Sequence, residues 1–388
     1  MKREELKALL ADAAAHGGGI FVLNLAADDP IALLNRTLAV EKADALKAAA
    51  RDAAAEMKAE KIVLLLPEDF NTFSIDGAEV VKTSRSLVLR EVPAALPMLA
   101  TGELRACPDE RAYPSEGLDG KPAVIADAEA LLAQEGKKFL VIAAADKRVF
   151  LEVTVGTAVG DILSEQGISD SGKPILLGGL TGRMVPAGGA GAVEDSPDYD
   201  LIRVYGAGEC MADAAAALFA AAREESCQKC VLCREGTWHM MSIFGDVTGG
   251  KATRESLPMI GDVGPLIAAG AFCAFGRGMA RLAVSVVESC RAELDAHIVR
   301  KQCPAGVCAA FNRKTYAIDP KKCAGNGDCA DECPEDAITF KKNFISMIDK
   351  DMCTGCGKCA EACEEEAIVV YDGRMRVPDK PTRIGRFK

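Results

Sequence analysis

Aromatic residues are scarce in this chain, at 5% of 388 positions, with a single tryptophan and only three histidines. So thin an aromatic complement leaves little for stacking nucleic-acid bases. A formal net charge of −11 supplies no basic face for a phosphate backbone, so nucleic acid is not an expected partner. No apolar run approaches the roughly 18 residues that a membrane span needs, and Met-Lys-Arg-Glu-Glu has no signal-peptide character. A cytoplasmic chain without a membrane span is therefore expected. His16, His239 and His297 are too few and too scattered for a Ser/His/Asp or Cys/His constellation, and no catalytic residue is assigned. Length and a 49% hydrophobic content allow two to four domains with real cores.

Cysteine is what the chain has in excess. Sixteen occur, fourteen of them between Cys227 and Cys363. Without an export signal, they read as metal ligands in a reducing compartment and not as disulfides. Cys227-x2-Cys230-x2-Cys233 and Cys353-x2-Cys356-x2-Cys359 have the spacing by which three thiolates grip a cubane iron–sulfur cluster. The second run belongs to an internal repeat. Tyr316-Ala317-Ile318-Asp319 and Ser346-Met347-Ile348-Asp349 each precede a cysteine motif, and the motifs end in Asp336-Ala337-Ile338 and Glu366-Ala367-Ile368. That is the two-fold signature of a bacterial two-cluster ferredoxin, in which the fourth cysteine of each run serves the other cluster.

Cys333 is thus assigned with Cys353, Cys356 and Cys359 to a complete 4Fe–4S site. Cys363 is assigned with Cys323 and Cys329 to a second site, where Asn326 stands at the middle cysteine position. Three thiolates suit a 3Fe–4S cluster, or a 4Fe–4S cluster whose fourth iron takes water or an oxygen such as that of Asp328. The alternative is a plain Asn326-Gly327 turn with no cluster. Cys227, Cys230 and Cys233 lie in a loop at a helix N-terminus, where free N–H groups favour negative charge, and Cys273 is assigned as their fourth ligand. Cys290, His297, Cys303 and Cys308 have the composition of a structural Cys3His zinc site, against the alternative of a core histidine among unpaired thiols. Cys107 and Cys210 are read as ordinary buried cysteines.

The rest of the chain predicts a multidomain α/β plus α fold. Residues 1–136 alternate helices (1–16 and 39–58) with apolar strands (20–23 and 61–66), giving an α/β layer. Residues 137–192 read as two paired strands, a short helix and glycine-rich turns, the pattern of a β-grasp module. A helical domain with one cluster follows over 193–299, including a helix at 279–296. A metal-clip linker (300–312), the ferredoxin domain (313–373) and a basic tail (374–388) complete the chain. The tail is read as solvated in preference to a docking arm.

The segment Glu225-Ser226-Cys227-Gln228-Lys229-Cys230-Val231-Leu232-Cys233-Arg234-Glu235-Gly236-Thr237 resembles E-S-C-G-x-C-x-P-C-R-x-G-T. That is a motif of the NADH-binding, flavin-carrying subunit of respiratory complex I. Cys273-Ala274-Phe275-Gly276 is similar to that family's C-A-L-G, whose cysteine is the fourth ligand. Ala296-His297-Ile298 and Lys301 to Cys308, with the appended ferredoxin, resemble the β subunit of electron-bifurcating hydrogenases. Gly120–Ile125 and the Gly178–Pro186 turn extend the resemblance, which implies a truncated FMN-domain-like layer over 1–136 and a soluble-ligand-binding (SLBB-like) β-grasp domain over 137–192. The chain departs from the pattern where that family binds FMN and NADH. The loop G-R-G-G-A-G-F-P has no counterpart, since Gly17-Gly18-Gly19 is too short and lacks the arginine. N-A-D-E-G-D-P-G appears as Asn24-Leu25-Ala26-Ala27-Asp28-Asp29-Pro30-Ile31, and C-G-E-E-T as Cys107-Pro108-Asp109-Glu110-Arg111. Without close backbone amides, a flavin and nicotinamide site is hard to build.

The expectation is an iron–sulfur electron-transfer subunit of a larger oxidoreductase, without its own FMN or NADH site. It would hold two 4Fe–4S clusters, a third 3Fe–4S or atypical 4Fe–4S cluster, and zinc. The resemblance implies partners: a thioredoxin-like 2Fe–2S subunit, a flavin- or metal-containing catalytic subunit, and free ferredoxin. Two alternatives stand beside it, an NAD(P)H dehydrogenase with a remodelled flavin pocket and a structural or assembly subunit.

Overall fold

The computed structural model describes all residues except 1, 2, 107–116, 119, 170, 313, 351, 372–374 and 388. Cys107 and the segment that follows it therefore lie outside the described residues. Two compact units, residues 1–308 and 309–388, divide the chain.

The first unit begins with helix Arg3–Ala15 and a sheet of four strands, β1 (Gly19–Asn24), β2 (Ala59–Pro67), β3 (Glu79–Thr83) and β4 (Ala123–Ala126). All are parallel, in the order β3-β2-β1-β4. Every residue of β1 is buried, as expected of a central strand covered on both faces. The order reverses between β1 and β4, where open α/β sheets leave a crevice at their carboxyl ends. The expected helix over 39–58 is two helices, Leu34–Glu41 and Ala43–Glu56, parted at Lys42. The first starts early because the Asp28 carboxylate accepts the amides of Asn35 (3.1 Å) and Arg36 (3.0 Å), satisfying N–H groups left open at a helix start.

A second sheet follows, built from β5 (Lys137–Ala143), β6 (Arg148–Thr154), β7 (Ile175–Leu177), β8 (Arg183–Val185) and β9 (Leu201–Val204), in the order β6-β5-β9-β7-β8. β5 pairs antiparallel with β6 and parallel with β9. Helix Val159–Glu165 packs Val159, Ile162 and Leu163 into the core with Leu140, Ile142 and Ile202. A buried clamp joins the two sheets. Asp29 Oδ2 accepts the Leu180 amide at 2.8 Å, and its Oδ1 accepts that of Ile31 at 2.8 Å. A Cβ on Gly179 would lie 2.0 Å from the Asp29 carboxylate, so this approach requires glycine. Arg90 beside it donates to Asp200, whose side chain is 2% exposed, and to the Pro197 carbonyl.

The helical part comprises Met211–Glu225, Val231–Thr248, Ser256–Gly270, Ala274–Ser289 and Arg291–Ile298, with Phe219 stacked on Phe244 at 4.8 Å. The helix expected over 279–296 is interrupted at Cys290, which closes one helix and opens the next with φ −105° and ψ 11°. Among the described residues no helix is long and apolar enough to cross a membrane.

In the second unit, β10 (Tyr316–Ile318) pairs antiparallel with β13 (Ile368–Val370), and β11 (Ile338–Thr339) with β12 (Met347–Ile348). The halves mirror each other: the Asp319 amide donates to the Ala367 carbonyl at 2.7 Å and the Asp349 amide to that of Ala337 at 2.8 Å. The tail, expected to be solvated, is exposed over most of its described residues and is also hydrogen-bonded to this unit. The Ile345 amide donates to the Thr382 carbonyl (2.9 Å), the Ile384 amide to that of Asn343 (3.2 Å), and Phe387 packs against the core.

Candidate metal centres

Two helix starts converge on the first thiol group. Cys230 caps Val231–Thr248, whose first turn carries Cys233, and Cys273 caps Ala274–Ser289. Cys230, Cys233 and Cys273 are buried and Cys227 half-buried. A Cβ on Gly276 would lie 3.4 Å from Cys233 Sγ, so the two helices meet closely here. Burial pushes the Cys233 thiol up to about 12; the Ser226 hydroxyl opposes this, and Cys230, Cys273 and Cys227 add to it. Burial likewise carries Cys273 to about 11. Four thiols gathered at two positive helix ends fit a cluster, whose irons would hold them as thiolates.

In the second unit Cys333, Cys353, Cys356 and Cys359 line one small cavity with Tyr316 and Pro334. Burial raises Cys359 to about 11, and the neighbouring Cys353 adds to the rise. Cys323 and Cys363 lie around Cys329, whose thiol is raised by burial against the pull of the Ser346 hydroxyl. The crossing cysteines are held alike: the Ala337 amide donates to Cys333 Sγ (3.3 Å) and the Ala367 amide to Cys363 Sγ (3.4 Å). Gly325 and Gly327 flank Asn326 with φ of 66° and 103°, close to the 72° and 84° of Gly355 and Gly357 around Cys356. Asn326 is exposed, and its amide donates to Asp328 Oδ2 at 2.7 Å. Three thiols and a loop shaped like the complete one fit a cluster whose fourth corner lacks sulfur.

The remaining group is Cys210, His297, Cys303 and Cys308, whose donor atoms all lie within 4.8 Å of one another. Cys290, assigned to it on spacing, lies outside it, and Cys210, read as an ordinary buried cysteine, takes its place. The reason is the fold. Cys210 caps helix Met211–Glu225 and faces helix Arg291–Ile298, whereas Cys290 sits at the preceding helix junction, where burial keeps its thiol at about 12. Cys210 Sγ is 3.3 Å from His297 Nε2, and Cys308 Sγ is 3.6 Å from Cys210 Sγ and 3.5 Å from His297 Nε2. Bonds of the length zinc makes to thiolate, at tetrahedral angles, place donors about 3.8 Å apart. His297 Nδ1 lies 2.8 Å from the Glu293 carbonyl, which fixes the tautomer and leaves Nε2 to bind. Burial acts to raise Cys303, but the Cys308 and Val307 amides outweigh it and bring the thiol down to about 6. One ligand is thus ready as thiolate in a small, tetrahedral donor set.

The family models agree with two of these regions. Residues 213–297 match the NADH-ubiquinone oxidoreductase-F iron-sulfur binding region, and residues 315–364 match a 4Fe-4S dicluster domain. The NADP-reducing hydrogenase subunit HndC of Solidesulfovibrio fructosivorans is 30% identical over 228 residues, 54% of this chain and 45% of that protein. The F-type subunit of the NADH-quinone oxidoreductase of Streptomyces coelicolor is 36% identical over 80 residues, 21% of this chain and 18% of that one. The matched stretches therefore span less than half the length of these curated relatives. A crystal structure of an NAD+-reducing [NiFe]-hydrogenase in the H2-reduced state shares the fold, with a TM-score of 0.65 at 17% identity over 75% of this chain and 58% of that one. Through an F-type iron–sulfur binding region followed by a dicluster ferredoxin domain, the chain is similar to F-type subunits of NADH-quinone oxidoreductases and to a hydrogenase subunit.

Proposed function

We propose that this chain is an iron–sulfur electron-transfer subunit of a soluble oxidoreductase complex, passing electrons between a partner's redox centre and its ferredoxin-type clusters. The observation that carries it is the sorting of the thiols at 227–273 and 323–363 into three separate groups, each with cluster-type ligand spacing. Bound there, the clusters would supply one-electron carriage. The chain's own residues bury part of each thiol group and leave Cys356 open to solvent; they aim helix N-termini at one group and donate amide hydrogen bonds to sulfur in the other two. We read residues 137–192, extended by strand β9 that pairs into the same sheet, as the β-grasp module, and Cys210, His297, Cys303 and Cys308 as a structural zinc clip that ties residues 303–308 to the helical domain. The expected partners are a thioredoxin-like 2Fe–2S subunit and a catalytic subunit carrying flavin or metal.

The reading includes the lack of an FMN and NADH site. Asp28 and Asp29, where the family has its acidic flavin motif, are spent on capping a helix and clamping two sheets. One observation favours the second reading, a dehydrogenase with a remodelled pocket. A cavity of about 490 Å³, lined by Asn24, Ala27, Arg90, Ile125 and Asp127, opens at the carboxyl ends of β1 and β4. Iron, zinc and flavin analysis of the purified protein, with equilibrium titration by FMN and NADH, separates the two. Iron for two or three clusters with no FMN binding supports the first, whereas stoichiometric FMN with clusters bleached by NADH overturns it.

A further inference from the structure

The two halves of the second unit differ at a second position besides that of Asn326. Three residues before the aspartate that leads into each cysteine run, the first half has Tyr316 and the second has Ser346. In the complete site Tyr316 lines the thiol cavity, and its hydroxyl lies 2.8 Å from where a Cβ on Gly357 would stand. A serine is too short to make the matching approach to Gly327. There the ring of Phe340 fills the space instead, 2.8 Å from where a Cβ on Gly327 would stand. Ser346 is left with a short hydroxyl inside the unit. It is 2% exposed, and its Oγ is buried with no hydrogen-bond partner at ordinary distance and angle. The group it faces is the thiol of Cys329, one of the three of the altered site. The tail holds it there, because the Thr382 carbonyl accepts the amide of its neighbour Ile345. A buried hydroxyl left unpaired costs about 1–3 kcal/mol, and such groups in native structures have a partner or a task.

We propose that the Ser346 hydroxyl donates a hydrogen bond to sulfur in the altered site, to the Cys329 thiolate or a cluster sulfide beside it, and so raises that cluster's reduction potential. The inference rests on the reading that Cys323, Cys329 and Cys363 hold a cluster. Reduction adds negative charge to the sulfurs, and a donor at that point stabilises the reduced form more than the oxidised one; hydrogen bonds to sulfur are among the levers that set cluster potentials. The test is an EPR-monitored redox titration of the full chain after anaerobic reconstitution with iron and sulfide, comparing wild type with S346A and S346T. In S346A the midpoint of the altered cluster is expected to fall by about tenfold in the one-electron equilibrium, which is about 59 mV. S346T, which keeps the hydroxyl, is expected to restore it. The complete cluster is expected to stay unmoved in both and to report that the unit is folded. An exchangeable proton coupled to the altered cluster in wild type and missing in S346A, seen by ENDOR in D2O, is the second expected result. An altered cluster that keeps its wild-type midpoint and proton coupling in S346A overturns the proposal and leaves the cluster reading intact. Iron for two clusters only in wild type, with no third signal, overturns the cluster reading itself.

Discussion

Replacing Cys210 by serine is expected to release the metal of the Cys3His group, while replacing Cys290 by serine is expected to leave it bound. In the structure Cys210 Sγ stands 3.3 Å from His297 Nε2 and 3.6 Å from Cys308 Sγ, and Cys290 is outside the group. A metal present at about a thousand times its dissociation constant stabilises the folded chain by about 4 kcal/mol. At about 2 °C per kcal/mol for a large domain, its loss lowers the melting temperature by roughly 8 °C. The assay is zinc content per chain by elemental analysis, with calorimetry of the same samples. Wild type and C290S should each hold one zinc and melt together, and C210S should hold none and melt lower. Zinc retained in C210S and lost from C290S would refute the assignment.

Three further outcomes are expected. N326C should bring the altered site to four irons and abolish any 3Fe–4S signal, because the glycines around Asn326 already have the backbone of the complete loop; a persisting 3Fe–4S signal, or no cluster at that site in either protein, would count against the altered site. Burial, opposed by amide hydrogen bonds from Arg36 and Asn35, pushes the Asp28 carboxyl up to about 7, so the folded chain keeps a proton that the unfolded chain has lost. Stability should therefore fall as pH rises from about 4 to about 7, by up to roughly 4 kcal/mol from this group, and D28N should flatten the slope; denaturant midpoints across that range decide it. R90M should destabilise by about 3–5 kcal/mol, since it strands the buried Asp200 carboxylate without its partner; a loss below about 1 kcal/mol in urea unfolding would contradict the clamp.

Ligand spacing is legible in the sequence because it is local: three thiols two residues apart share a loop whatever the fold around them. The crossing of Cys333 and Cys363 is legible for another reason, since the internal repeat names its own template. Cys210 is not, because it lies 87 residues from His297 and meets it only through packing of two helices. The break at Cys290 carries no glycine or proline to announce it. The tail misleads through its charge. Phe387, set among its basic residues, is the available signal that its end packs. Asp28 and Asp29 look like the remains of a lost motif, and their actual partners, two helix amides and the Leu180 amide, are set by tertiary structure alone.

On the proposed ligand sets, the exchange of cysteines between the two halves of the ferredoxin unit would also make each bound cluster a cross-link. Cys333 to Cys353 closes a loop of roughly 20 residues and Cys323 to Cys363 one of roughly 40, which on a chain-entropy scale removes about 3 and about 4 kcal/mol of freedom from the unfolded chain. A unit this small, built on two-stranded ribbons, has little core of its own to draw on. With clusters bound by these ligands, the cofactors would act as staples, and neither half of the repeat would be loaded before the other had folded. Loss of iron from one site would then loosen the ligands of both, and oxidative damage would be felt by the unit as a whole.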